Sequence, residues 1–199
     1  MTKPNFDHVD KFFEYNIDVP SKTLYIGSHS SEEGAESGTD HTMAEYAIKG
    51  LHVLDKSAWG DKPIRIIINN PGGDEYHGYA IYDAIRACES EVHIYVYGHA
   101  MSMGSIILQA GDKRYMSPRS KMMIHYGSWS FDGHSLDFLR SAEECKKQCE
   151  QMEDIFLPKM QEQNPKMTRA KFKTMFSFDK YLNAQECIDL GLVDEIIGE

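Results

Sequence analysis

The sequence predicts an α/β fold built on a mainly parallel sheet, and three observations carry that reading. Apolar, β-branched runs of strand length recur as "KTLYIGS", "PIRIIINN" and "EVHIYVYG". Between them lie segments whose apolar residues fall at helical spacing. The turns joining the two kinds of segment are short. Alternation of this kind is the mark of βαβ units with right-handed crossovers. A chain of 199 residues is long enough for one domain with a real core.

Taken in order, residues 1–20 form a polar lead-in with a short amphipathic turn around "VDKFFEYNI", and 21–199 read as a single domain. "KTLYIGS" is a strand ending at Gly27, and "SHSSEEGAESGTDH" (28–41) is a solvated acidic loop. "TMAEYAIKGLHVLDKS" repeats apolar residues at Met43, Ala47, Leu51 and Leu54, which predicts a helix. The continuous run "PIRIIINN" predicts a strand buried on both faces. "YHGYAIYDAIRAC" is helical, "EVHIYVYG" a strand, "SMGSIILQAG" helical, and "KRYMS" and "KMMIHYG" are short strands. Over about 134–160, Leu136, Leu139, Ala142, Cys145, Cys149, Met152, Ile155 and Phe156 form one stripe of a long helix projecting from the body. Such a stripe predicts burial against another helix, supplied by a second subunit.

Composition narrows the function. A net charge of −10 argues against a nucleic-acid surface, which needs clustered Lys and Arg. The four cysteines, Cys88, Cys145, Cys149 and Cys187, lack the pattern of a disulfide framework or a metal site, and Cys145 and Cys149 read as packing on one helix face. No signal-peptide core and no run of about 18 apolar residues occurs, so a reduced, cytoplasmic protein without a membrane partner is expected.

The candidate chemistry sits at strand ends. Ser102, in "GHAMSMGSIILQAG", lies at a strand-to-helix junction between the small residues Ala100 and Gly104. There the helix dipole favours developing negative charge; the plainer reading is a helix N-cap. His125 ends the apolar strand "KMMIH" and is a base candidate. Asp179 lies between Phe178 and Tyr181 just before a helix and could orient an imidazole, with Asp189 and Asp194 as competitors. "NNPGGDE" sets two glycines at a strand exit, where they serve either a tight turn or an anion-holding backbone.

Together, "PGGDEYHGYAIYDAI", "GHAMSMGSIILQAG", "SKMMIHYG" and "FDKYLNAQECIDLGLVDEI" resemble the ClpP family, the proteolytic subunits of the ATP-dependent Clp protease, over roughly residues 60–199. The resemblance implies a crotonase-like superhelix of ββα units with a protruding handle helix. It implies a serine endopeptidase without cofactor or metal, acting on peptides inside a homo-oligomeric chamber. Such chambers are heptameric rings, usually stacked as fourteen subunits, and the implied partner is an ATP-driven AAA+ unfoldase. Residue by residue, Ser102 matches the nucleophile, His125 the base and Asp179 the acid. The backbone N–H groups of Gly73 and Met103 match the oxyanion donors. Gly72, Ser128 and Trp129 are candidates for substrate contact, Trp129 being equally readable as a packing residue at a subunit contact.

The sequence departs from the family pattern in three places. The lead-in "MTKPN" is polar where an apolar pore loop is usual, and the acidic stretch 28–41 replaces a short turn. After His125, Gly127-Ser128-Trp129-Ser130 replaces a Pro and a glycine pair, although Gly133 keeps the later glycine. Positions usually aromatic around the unfoldase-docking cleft are Arg65, Ile67 and Ala87, while Tyr115 keeps that character. Two alternatives stand beside the peptidase: a crotonase-type acyl-CoA enzyme, and a catalytically idle ring subunit.

Overall fold

The computed structural model describes residues 6–27, 38–55 and 61–198. The polar residues 1–5 and most of the acidic 28–41 stretch lie outside the described residues. The element order is α1 (Phe6–Tyr15), β1 (Ile17–Asp18), β2 (Thr23–Ile26), α2 (His41–Asp55), β3 (Ile64–Asn70), α3 (Glu75–Arg86) and β4 (Val92–Met101). There follow α4 (Met103–Leu108), β5 (Lys113–Met116), β6 (Lys121–Ile124), α5 (Ser135–Gln163), α6 (Arg169–Met175), β7 (Lys180–Asn183), α7 (Ala184–Asp189) and β8 (Glu195–Ile196).

The β-branched runs pair in parallel as β2–β3–β4–β5–β8, with β1 antiparallel at one edge. On the side away from β3, β4 serves two partners. Its first half, from His93 to Val96, pairs with β5, and its end, from His99 to Met101, pairs in parallel with β6. β6 in turn carries the antiparallel β7. The handover occurs at Gly98, whose φ of 86° and contact with the Asn69 carboxamide leave no room for a Cβ. This mixed α/β architecture is the ClpP/crotonase-like fold expected from the sequence.

Ile64, Ile66 and Ile68 of β3, with Ile94 and Val96 of β4, are fully buried against α2, α3 and α4. The other face of β3 is open, contrary to the expectation of burial on both sides. Arg65 is exposed and lies over the Tyr95 ring, 5.0 Å from its centroid, and Tyr95 stacks on Tyr115 at 4.5 Å. The helices cover one layer only, so the run of isoleucines overstated burial.

α5 spans 29 residues, about 44 Å at helical rise. Its C-terminal half buries Met152, Phe156, Leu157 and Met160. Leu136 and Leu139 stay 67% and 58% exposed, so the stripe continues beyond what the described residues cover.

Candidate active site

The register of the sheet brings three chain-distant residues together. β4 and β6 pair Met101 with Met123, and the Ser102 N–H donates to the Met123 carbonyl at 2.9 Å. Ser102 and His125 are therefore the first residues past the ends of neighbouring parallel strands. β6 and β7 pair Met123 with Tyr181 and Ile124 with Lys180, so one further step sets His125 opposite Asp179. Residues directly opposite in an antiparallel ladder point to the same face. Asp179 leads into β7, and the helix α7 begins only at Ala184, so the expectation of a helix directly after it is corrected.

The side chains meet accordingly. Ser102 Oγ donates to His125 Nε2 at 2.8 Å, and His125 Nδ1 donates to Asp179 Oδ1 at 3.1 Å. The imidazole is largely enclosed at 21% exposure, whereas the Asp179 carboxylate is 60% exposed. Solvent screens so open a carboxylate, so its contribution is orientation more than charge. The competitors lie elsewhere: Asp194 is paired to Arg114, and Asp189 accepts from Gln185 on α7.

The N-cap reading of Ser102 fails on geometry. Ser102 occupies the N-cap position of α4, but its hydroxyl makes no capping bond. Its backbone sits at φ 49°, ψ −122°, a region that non-glycine residues rarely adopt. Such strain persists only where surrounding structure enforces it, and it aims the hydroxyl away from its own helix toward His125.

The Pro-Gly-Gly turn lies against this serine. A Cβ on Gly72 would stand 2.5 Å from Ser102 Cβ and 3.0 Å from Met103 N, and Gly72 has a φ of 100°. Thr39 donates its N–H to the Gly72 carbonyl at 2.6 Å and accepts the Asp74 N–H at 2.8 Å. In a parallel bridge of this form the central residue, Gly73, turns its own N–H away from Thr39. Met103 is the first residue of α4, where the N–H has no intrahelical acceptor. Its side chain is buried against Gly78, leaving that N–H clear.

Several supports were not evident in the sequence. Asn70 is fully buried; its Oδ1 accepts from Gly72 N at 2.8 Å and Thr39 Oγ1 at 3.0 Å, and its Nδ2 donates to the Gly27 carbonyl at 2.9 Å. Glu153 of α5, also buried, accepts from Tyr126 at 2.9 Å and from Arg169 at 2.7 Å, bracing the residue next to His125. Only the position of Asn70 directly before Pro-Gly-Gly could have signalled its role.

A cleft of about 500 Å³ runs past Ser102 and His125, lined also by Gly73, Glu75, Ser128 and Trp129. Gly72 lies beneath it, buried against Ser102. Among the described residues no cluster of three His, Cys, Asp or Glu side chains could hold a metal. Burial and the neighbouring Cys145 push the Cys149 thiol up to about 11, so it stays a neutral packing group. No helix among the described residues is long and apolar enough to cross a membrane.

Comparison with known proteins agrees with this geometry. The family described as Clp protease matches residues 35–199. The ATP-dependent Clp protease proteolytic subunit of Deinococcus radiodurans is 35% identical over 159 residues, covering 79% of this chain and 75% of the relative.

Proposed function

The chain belongs to the Clp protease family, and from that premise we propose that Ser102, His125 and Asp179 are the catalytic triad of a serine endopeptidase. The family decides for a peptidase over an acyl-CoA enzyme. The observation that carries the residue assignment is the continuous Ser102–His125–Asp179 hydrogen-bond chain at the ends of β4, β6 and β7.

In the reaction, Ser102 Oγ attacks the scissile carbonyl carbon as its proton passes to His125 Nε2. Asp179 keeps the Nδ1 proton in place and so fixes the tautomer that can accept. The carbonyl oxygen, now an anion, takes hydrogen bonds from the Gly73 and Met103 N–H groups. Fixed donors of this kind are worth about 3–4 kcal/mol each to the transition state. His125 then protonates the leaving amine, and the C–N bond breaks to give an acyl-serine. Water, deprotonated by His125, releases the acid and restores Ser102.

Assembly into oligomeric rings with a Clp ATPase partner belongs to the family. A heptamer, stacked in pairs through the half-covered α5, and a cytoplasmic location are the finer reading; the exposed apolar residues of α5 support the stacking. Ser128 and Trp129 are assigned to the substrate-binding cleft, whereas Gly72, buried beneath it against Ser102, shapes the turn and does not touch substrate.

A serine-directed fluorophosphonate tests the triad. One adduct is expected on the assembled protein by intact mass, none on Ser102→Ala, and peptide turnover should fall by at least about a thousandfold in that variant. Turnover at the wild-type rate in Ser102→Ala would overturn the assignment. No adduct on the folded, assembled protein would favour an idle subunit.

A further inference from the structure

Two histidines meet across the turn that carries Gly73. His41 opens α2 and His77 lies in the first turn of α3, with their ring centroids 6.1 Å apart and the planes at 56°. Both helix starts are built on the Thr39–Gly73 bridge. Thr39 stands just before His41 in the chain, and Asp74, which donates its N–H to the Thr39 carbonyl at 2.8 Å, stands just before the turn that holds His77. Each histidine also has an acid bonded to the start of its helix. Asp40 Oδ1 accepts the Met43 N–H at 2.8 Å, and Asp74 Oδ1 accepts the His77 N–H at 3.1 Å. Two carboxylates beside two imidazoles favour a cation by charge and by ligand type.

We propose that His41 and His77 together bind one divalent cation of the zinc class, and that the ion braces the turn on which Gly73 sits. Imidazole suits zinc, nickel and copper. Two imidazoles sharing a zinc at a Zn–N length of about 2.0–2.1 Å set their ring centroids about 5 Å apart at a tetrahedral angle and about 6.4 Å apart in line. The observed 6.1 Å falls within that interval, so an approach of about 1 Å at most completes the geometry. His41 is exposed, and its ring can turn to aim a nitrogen at the ion. Thr42 Oγ1 lies 3.2 Å from His41 Nε2, and a hydroxyl held on one ring nitrogen leaves the other for the metal. No third His, Cys, Asp or Glu among the described residues completes the set. Water fills the remaining positions, and the site is weaker than a closed structural zinc site. The bound ion ties the start of α2 to the start of α3, one on each side of the Thr39–Gly73 bridge. The metal site stands whether or not Gly73 serves as an oxyanion donor.

Zinc chloride added to the assembled protein tests the site through thermal unfolding. At about 100 µM zinc, a site of roughly 10 µM affinity should raise Tm by about 3 °C or more. His41→Ala and His77→Ala should each abolish that rise, whereas His52→Ala, which removes an exposed histidine from the same helix α2, should keep it. Neither His41 nor His77 belongs to the buried core, so both variants are expected to fold. Copper(II), which imidazole binds more tightly than zinc, gives a second reading by electron paramagnetic resonance: two coupled nitrogens in the wild type and fewer in either variant. Amide hydrogen exchange at Asp74, whose N–H closes the bridge onto Thr39, should slow when zinc is present. The absence of any zinc-induced rise in the wild type, a rise kept in His41→Ala or His77→Ala, or a copper spectrum unchanged by either substitution would overturn the site. Exchange at Asp74 unaltered by zinc would overturn the brace.

Discussion

Asn70 is a single side chain that ties the exits of β2 and β3 to the lead-in of α2: it accepts from Gly72 and Thr39 and donates to Gly27. Because Gly73 follows directly, the direction of its N–H depends on this knot. Asn70→Ala leaves the Gly72 N–H and the Gly27 carbonyl without partners in a buried place, at about 1–3 kcal/mol each. We expect a lowered urea midpoint and, in the fraction that stays folded, a fall in kcat of about a hundredfold with KM changed little, because a misplaced oxyanion donor weakens the transition state more than the bound substrate. An equal rise in KM with kcat preserved would mean the turn serves substrate binding alone. Ser102 and His125 were legible in the sequence because each follows a strongly apolar strand and stands near small residues. Asn70 was not, since asparagine before proline reads as an ordinary turn former, and only its buried bonds reveal the work it does. The positive φ of Ser102 was equally hidden, because it follows from the packing of Gly72 against it.

At the scale of elements, the joints matter more than the strands. Glu153 of α5 is 1% exposed and faces Arg169 and Lys173 of α6 as well as Tyr126. Arg169 also reaches Asp154. A buried carboxylate is tolerated only with such partners, and stripping them exposes its desolvation cost. The double variant Arg169→Ala/Lys173→Ala should lose about 3–5 kcal/mol, a drop in Tm on the order of 10 °C for a chain of this size; a shift within 2 °C, by the same scale, would show that the ion pairs contribute nothing net. At the opposite edge, Arg114 clamps Asp194 and so holds β8 to β5. Burial alone would raise the Asp194 carboxyl, but the bonds from Arg114 outweigh it and the net shift is downward. A carboxyl lowered by folding contributes stability that is complete above its unfolded value of about 3.9 and fades as pH falls through the lower folded value. Thermal unfolding should therefore show an acid loss below about pH 4 that Asp194→Asn flattens, with the variant less stable at neutral pH. An unaltered acid limb would assign that loss to other carboxylates. The helical periods of α2, α3 and α5 announced these elements, whereas ion pairs between helices separated by loops carry no periodic signal and stayed invisible.

At the scale of the whole molecule, one chain leaves two apolar surfaces incomplete. The first is the outer face of the sheet, where Tyr95, Tyr97 and Tyr115 line up beside Arg65. The second is the N-terminal half of α5, where Leu136, Phe138 and Leu139 are each more than half exposed, with Phe131 packed on Phe138 at 5.9 Å between centroids. An uninterrupted apolar strip on a helix that extends past its own core is what an interface between copies looks like before the copies meet. The long stripe made the helix's extension past its own core legible in the sequence, and the exposure of Leu136 and Leu139 agrees with it. The same reasoning failed for β3, whose isoleucines promised two covered faces and received one. If α5 joins copies, then Leu136→Glu with Leu139→Glu places two carboxylates in a desolvated contact and should lower the assembled mass, seen by sedimentation velocity, by about half or more. Neither residue belongs to the buried core, so the subunit's own thermal unfolding, followed at a concentration where the wild type is also dissociated, should move by no more than about 0.5 kcal/mol. A variant that assembles to the wild-type mass would show that the strip is free surface, and a contact between copies would then have to be sought on the tyrosine face instead.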